Sequence, residues 1–454
     1  MTTRRDFIKQ SAVLAAGTIV LPSTVNLNFG AKPKVIVVGA GFAGLAAAYR
    51  LIQNGAEVTI LESRNRYGGR VFSHEIDKDE NLVIELGAEW VGASHERLIK
   101  MCGEFGLELM NNQFDSHMIF AGQYYPKGKW DYEESWKVKF NKLMEDYKHF
   151  TEEDKKKLDK TDWWRFLLNM DINERDLQIR ELLDSTDFGE TIRSVSAYAA
   201  LAEYAESSEK NEMDFKIKGG NSRFADKLVE KIGMNNIKFN HKVTEIIQHD
   251  GGVNVVCDNS TTFGGDSLIC TIPTFSMSKI KWSPGLPQEK LNAINSLQYA
   301  RISKHPVLFS ERFWNDEAFD MITDVYGHYF YHATKNQPGK KGVLISYTIG
   351  DKADVISRQN DSFKTRMISE TLEPAFGNVS SKIVKHMNYY WGNDTQTRGA
   401  YALYGRGQWF TVMPVLKEKF LSTHFAGEHV ADWQGFMEGA IVTGEEAADN
   451  ILGN

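Results

Sequence analysis

The stretch KVIVVGAGFAGLAAAYRLIQNGAEVTILE, residues 34–62, decides the architecture. Its opening KVIVV is an apolar run fit for a buried parallel strand, GAGFAG follows at once, and LAAAYRLIQNG continues in a helical pattern. EVTILE then reads as a second strand that ends on an acid. Gly39 permits the tight turn, Gly41 lets the backbone approach a pyrophosphate, and Gly44 allows the helix to pack closely on the strand. The first helical residues, Phe42 and Ala43, would direct free N–H groups at that phosphate. Glu62 is placed to accept hydrogen bonds from a ribose hydroxyl, and its charge would repel a 2′-phosphate. Strand, glycines, helix, strand and acid in this order specify a dinucleotide-binding unit, with FAD and NAD both open at this point.

SRNRYGGRVFS follows directly, and Gly68 and Gly69 before Arg70 suggest a second close backbone approach with a cation directed at the same phosphates. The chain of 454 residues is long enough for more than one domain. Its net charge of -7 provides no basic field to gather phosphates, which argues against nucleic acid as the main partner. Cys102, Cys257 and Cys270 are far apart and show no metal-ligand spacing, so no metal site is expected. At the N-terminus, TTRRDFIK precedes the apolar run Ala12 to Pro22, which is too short for an ordinary membrane-spanning helix. Residues 1–30 resemble a twin-arginine export signal. That resemblance implies a protein folded before export, a periplasmic location and the twin-arginine translocation machinery as a partner.

Beyond the nucleotide unit, a helix is expected near His95, and residues 133–214 are charged and helical in pattern. FKIKGGNSRFADKLVEKI, from 215, leads into period-two strands with Gly and Asn turns that end at TIP, residues 271–273. The last thirty residues read as a strand ending at Gly427 and Glu428, a loop, and a helix with an apolar inner face.

These separated motifs resemble the flavin-containing amine oxidase family, over nearly the whole chain from about 34 to 453. The resemblance implies an α/β fold: a Rossmann-type (GR2-like) FAD-binding domain from segments 31–95, 215–290 and 410–454. A discontinuous α+β substrate-binding domain would take 96–214 and 291–409. In the family, the GGR segment with Gly69 and Arg70 lies along the pyrophosphate, and the backbone near Val243 lies against adenine. Glu428 would hydrogen-bond the ribityl or diphosphate region, and the helix start at Phe436 and Met437 would point at the flavin's N1–C2=O edge, where negative charge develops.

RISKHPVLF, residues 301–309, places a lysine inside an apolar strand. Alternation puts Ile302, Lys304 and Leu308 on one face and Ser303, Val307 and Phe309 on the other. Taken alone, the stretch suits an edge strand whose lysine meets water. The family resemblance reverses that reading, because a lysine of the substrate domain there holds a water near flavin N5. Lys304 is matched to it, and its work is expected to be electrostatic or in steering the flavin's reaction with its acceptor. Trp391 matches a residue packed beside the isoalloxazine. Tyr401 matches the first tyrosine of the monoamine oxidase aromatic cage, whereas the second position is Phe436, without the hydroxyl. Ala400 stands where several monoamine oxidases carry the flavin-linking cysteine, so FAD is expected to be non-covalent.

The implied chemistry is oxidation of a primary or secondary amine to an imine, hydrolysed to an aldehyde or ketone, with O₂ reduced to H₂O₂. An electron-carrier protein as acceptor would make the enzyme a dehydrogenase. An L-amino-acid oxidase is the nearest rival and would need a cation for the carboxylate, for which Arg301 and Arg406 are candidates by position. Polyamine oxidation fits less well, since plant polyamine oxidases place an acid where this chain has Gly92; Glu89 could substitute only by turning inward. A flavin desaturase, a porphyrinogen oxidase or a non-catalytic flavoprotein has less need of Lys304, Trp391 and Tyr401 together. A homodimer is a further expectation, on which the sequence itself is silent.

Overall fold

The computed structural model describes residues 32–453, so the expected export segment lies outside the described residues. Two sheets organise the chain. The first is five-stranded and parallel, in the order Thr423–Phe425, Ser267–Cys270, Lys34–Val38, Glu57–Leu61 and Ile237–Lys238. Strand Lys34–Val38 is buried after its first residue, as expected of a central parallel strand covered on both faces. Helix Phe42–Gln53 crosses over it to Glu57–Leu61, and the C-terminal helix Met437–Leu452 packs alongside. Their small residues allow the close approach: a Cβ on Gly444 would lie 2.2 Å from the Ala43 carbonyl oxygen. Arg50 and Asp449 close the far end of the helix pair with an ion pair at 2.7 Å.

The second sheet has eight strands. Strand Ile302–Phe309 lies within it, paired antiparallel with Gly342–Ile349 on one side and with Ile383–His386 and Tyr389–Tyr390 on the other. The sheet continues through Tyr329–His332, Phe319–Thr323 and Asp115–Phe120. All eight residues of Ile302–Phe309 are buried, so the edge reading of this strand does not hold. Helix Asp361–Phe376 packs over one face, through Met367, Ile368 and Leu372, and the other face looks towards the first sheet. Helices between Glu134 and Glu206 pack around Trp163, in a core continuous with Ile36 and Val38 of the first sheet.

Candidate active site

One cavity of about 600 Å³ runs from the turn after Lys34–Val38 to the buried face of the eight-stranded sheet. Gly39, Gly41, Phe42, Ala43, Glu62, Gly69, Arg70, Val243, Gly427, Glu428 and Met437 line it, and so do Lys304, Trp391, Tyr401 and Phe436. Of the glycine-turn positions Gly39, Gly41 and Gly44, only Gly44 is not in its wall. Gly44 sits behind the turn, where a Cβ would come 1.9 Å from the Gly39 carbonyl oxygen.

The nucleotide end is built from backbone. Gly39 has φ +104°, and a Cβ there would also meet Thr271 Oγ1 at 2.8 Å. Gly69, at φ +60°, approaches so closely that a Cβ would stand 3.1 Å from Gly41 Cα. Bare backbone thus borders the cavity at the start of a helix, a cradle that fits the diphosphate of a dinucleotide. Glu62 is buried and accepts from the Ala40 N–H at 2.9 Å and the Arg64 N–H at 2.8 Å, which fixes its carboxylate at the end of the second strand. Residues that fit a dinucleotide are therefore Gly41, Phe42, Glu62, Gly69 and Val243.

Arg70 and Glu428 are engaged with each other. The guanidinium donates to Glu428 Oε1 at 2.7 Å and to the Ala400 carbonyl at 2.6 Å. Glu428 Oε2 accepts from the Gly435 N–H at 2.9 Å, and both carboxylate oxygens accept from the Ala402 N–H at 3.3 Å. This pair ties three distant segments together at the cavity wall, instead of leaving a bare cation and a bare acid. Met437 opens the last helix, with Phe436 as its N-cap in extended conformation. The Phe436 ring packs edge-on against His95 at 5.0 Å and Trp433 at 5.9 Å.

On the sheet side, Trp391 is buried and its indole N–H donates to the Leu86 carbonyl at 2.8 Å. Tyr401 donates to the Asp187 carbonyl at 2.7 Å, with the Tyr347 hydroxyl 3.3 Å away. Lys304 is 3% exposed. Its Nζ donates to the Gly87 carbonyl at 2.8 Å, the Glu85 carbonyl at 3.1 Å and Glu89 Oε2 at 3.2 Å. Burial lowers the lysine's pKa, and the charge of Glu89 opposes that shift. Glu89 has indeed turned inward, but to meet two ammonium groups: Lys216 reaches its Oε1 at 3.1 Å. Burial works against the Glu89 carboxylate, yet Lys216 and Lys304 outweigh it and hold its pKa below the usual range. Glu85 next door is pushed up to about 7 by burial and by the Glu89 charge.

The far wall is acidic. Asp187 accepts from Tyr204 at 2.8 Å and Asn211 at 3.0 Å, and burial, with Asp184 nearby, pushes it up to about 7. Asp320, 1% exposed, accepts through Oδ2 from Tyr329 at 2.8 Å and Ser116 at 3.1 Å. Its Oδ1 has no hydrogen-bond donor among the described residues, and burial pushes this carboxyl to about 7 as well. Neither arginine proposed from sequence faces the cavity. Arg301 is taken up by Glu190, Asp351 and Asp354, and Arg406 is 65% exposed beside Asp162. Arg180 does line it but is paired with Asp184 at 2.9 Å.

A family model for flavin containing amine oxidoreductases matches residues 42–452. Amine oxidase [flavin-containing] A of Canis lupus familiaris is 23% identical, over 92% of this chain and 84% of its own. Polyamine oxidase 4 of Oryza sativa subsp. japonica is 27% identical, over 96% and 92%. Among solved structures, cyclohexylamine oxidase from Brevibacterium oxydans IH-35A superposes with a TM-score of 0.82 at 19% identity, covering 93% of this chain and 99% of that one. Wild-type putrescine oxidase bound to putrescine gives 0.82 at 21% identity, over 93% and 100%. With the family model spanning nearly all of the described residues, this chain belongs to the flavin-containing amine oxidoreductases.

Proposed function

We propose that the protein oxidises an amine carrying hydrogen on the adjacent carbon to the imine, which water hydrolyses to an aldehyde or ketone, with O₂ reduced to H₂O₂. The observation that carries this reading is the meeting of Lys304, Trp391, Tyr401 and Phe436 in the wall of the same cavity as the glycine cradle. The glycine turn and Glu62 would hold FAD there without a covalent link, and bound FAD would supply the redox chemistry that joins the amine to O₂. The chain's own part is to bind, orient and tune. The turn at Gly39 to Gly41 and the carboxylate of Glu62 hold the nucleotide half. Trp391, fixed by its bond to Leu86, and Tyr401, fixed by its bond to Asp187, shape the pocket for the reacting carbon. An aromatic, desolvated pocket favours the neutral amine, the form that can react. We assign 31–95, 215–290 and 410–454 to the FAD-binding domain and 96–214 and 291–409 to the substrate-binding domain, a division supported by the contribution of both sets to the cavity wall. Export through the twin-arginine route is proposed on the TTRRDFIK sequence alone.

The acidic wall favours one kind of substrate within this reading. Lys304, Tyr347, Tyr329 and Ile322 are register partners across adjacent strands, and Asp320 stands two residues from Ile322 on the same face. At about 4.8 Å per strand, Asp320 lies roughly 14 Å across the sheet from the lysine strand. Asp187, bonded to Tyr401 through its carbonyl, lies nearer to the pocket for the reacting carbon. A substrate carboxylate would meet these acids, whereas a second ammonium on an extended chain would be received by them. Diamines are therefore expected to be better substrates than simple monoamines of similar length, and L-amino acids poor ones. H₂O₂ release from butylamine, putrescine, cadaverine and L-amino acids tests this directly. Asp320→Asn is expected to raise KM for the preferred diamine by about tenfold or more while changing the butylamine parameters little. Activity confined to L-amino acids would overturn the amine reading.

A further inference from the structure

Lys304, Glu89, Lys216 and Tyr331 come from separate stretches of chain and meet at a single buried carboxylate. Glu89 Oε2 accepts from Lys304 at 3.2 Å and from the Tyr331 hydroxyl at 3.0 Å, and Oε1 accepts from Lys216 at 3.1 Å. Lys216 is held in turn by the Ala333 carbonyl at 2.9 Å. Glu89 is 2% exposed, each lysine 3% and Tyr331 not at all. Glu89 and Lys304 border the cavity; Lys216 and Tyr331 stand behind them. Burying several charges costs several kcal/mol per ion, and a packed apolar cluster of the same volume often does as well or better for stability alone. The arrangement therefore calls for a role in charge.

An ammonium has three N–H donors. The Glu85 carbonyl, the Gly87 carbonyl and Glu89 Oε2 accept all three from Lys304. Only Glu89 among these acceptors carries a charge. The rings of Trp90 and Tyr331 lie 5.7 and 5.6 Å from Nζ, and Tyr347 and Tyr389 are its register partners on the flanking strands. At longer range the Glu85 carboxyl favours its charge and Lys216 opposes it. We propose that Glu89 is a positioning residue: braced by Lys216 and Tyr331, it fixes the Lys304 ammonium at the cavity wall and keeps it protonated. Lys304 thus presents a fixed charge at the cavity wall. The functional half of this inference rests on the proposed amine oxidation; the clamp itself does not.

Two experiments separate those halves. The first is a double-mutant cycle read by thermal unfolding of the purified holoenzyme, with no turnover needed. Glu89→Gln is expected to lower the midpoint by about 4 °C in the wild-type background and by less than half of that beside Lys304→Met. Additive shifts would overturn the clamp. The second reduces the holoenzyme with dithionite and follows its reaction with O₂ between about pH 6 and 10. A buried lysine with a lowered pKa loses its charge as pH rises, so the rate should fall on the alkaline side, and Lys304→Met should lack that fall. Glu89→Gln should move the fall to lower pH by about one unit or more. Lys216→Met, which leaves Glu89 wholly to Lys304, should move it to higher pH, and it carries the test if Glu89→Gln does not fold. A fall at the same pH in these variants, or one that survives Lys304→Met, would contradict the proposal.

Discussion

Gly44→Ala is expected to yield a chain that emerges from purification with less than about a tenth of its flavin and that unfolds well below the wild type. The added methyl would stand 1.9 Å from the carbonyl oxygen of Gly39 and 3.1 Å from its carbon, so it meets backbone and not a side chain that could swing away. The same methyl would also stand 3.1 Å from Thr271 Oγ1, so the site is crowded by more than one neighbour. The first turn of helix Phe42–Gln53 would have to lift off the strand, which opens the cradle and costs about 3 kcal/mol or more. Gly103→Ala is the control: it lies exposed in helix Glu96–Glu104, with nothing within 4 Å of the new methyl. It should be neutral or stabilising by about 0.5–1 kcal/mol. Flavin absorbance per protein after gel filtration reads both outcomes. Full flavin retention in Gly44→Ala would show that the turn relaxes more than its geometry allows.

The second large effect is expected from Lys304→Met. Methionine keeps much of the volume and removes the charge, and Glu89 is left with Lys216 and Tyr331, so the fold should persist. A fixed charge in a dry wall matters most where negative charge develops, and removing one such group typically costs about 10²–10³ in rate. The loss should therefore fall on the reaction of the reduced enzyme with O₂, by about a hundredfold. Reduction by the amine should change less than about tenfold, because no proton of the substrate has to pass to this lysine. Stopped-flow measurement of the two half-reactions separates them. An equal loss in both would assign Lys304 to substrate handling.

The nucleotide half was legible because its determinants are local. Strand, glycine turn, helix and terminal acid fall within residues 34–62, and each does its work beside its sequence neighbours. Lys304 was different. Its strand is buried at every position, so alternation carries no record of which face is wet, and only the family resemblance pointed to a cavity. Glu89 could not be placed from its own surroundings because its partner Lys216 lies 127 residues away. The same holds for Arg70 and Glu428, 358 residues apart, which satisfy one another instead of standing open. Asp320 sits in the apolar-looking run FDMIT, and its importance lies in an oxygen without a donor, a property no sequence pattern encodes. Arg301 and Arg406 were candidates by nearness in sequence, yet their side chains turn to acids outside the cavity.

The central claim, that an amine is oxidised at this cavity, is tested most directly by anaerobic mixing of the FAD-loaded protein with butylamine, putrescine and L-amino acids while the oxidised flavin band is followed. Rapid bleaching by an amine, fastest with putrescine, and recovery of the band with H₂O₂ release when O₂ is admitted are the expected results. A band that none of the amines bleaches, or that only L-amino acids bleach, would contradict the account.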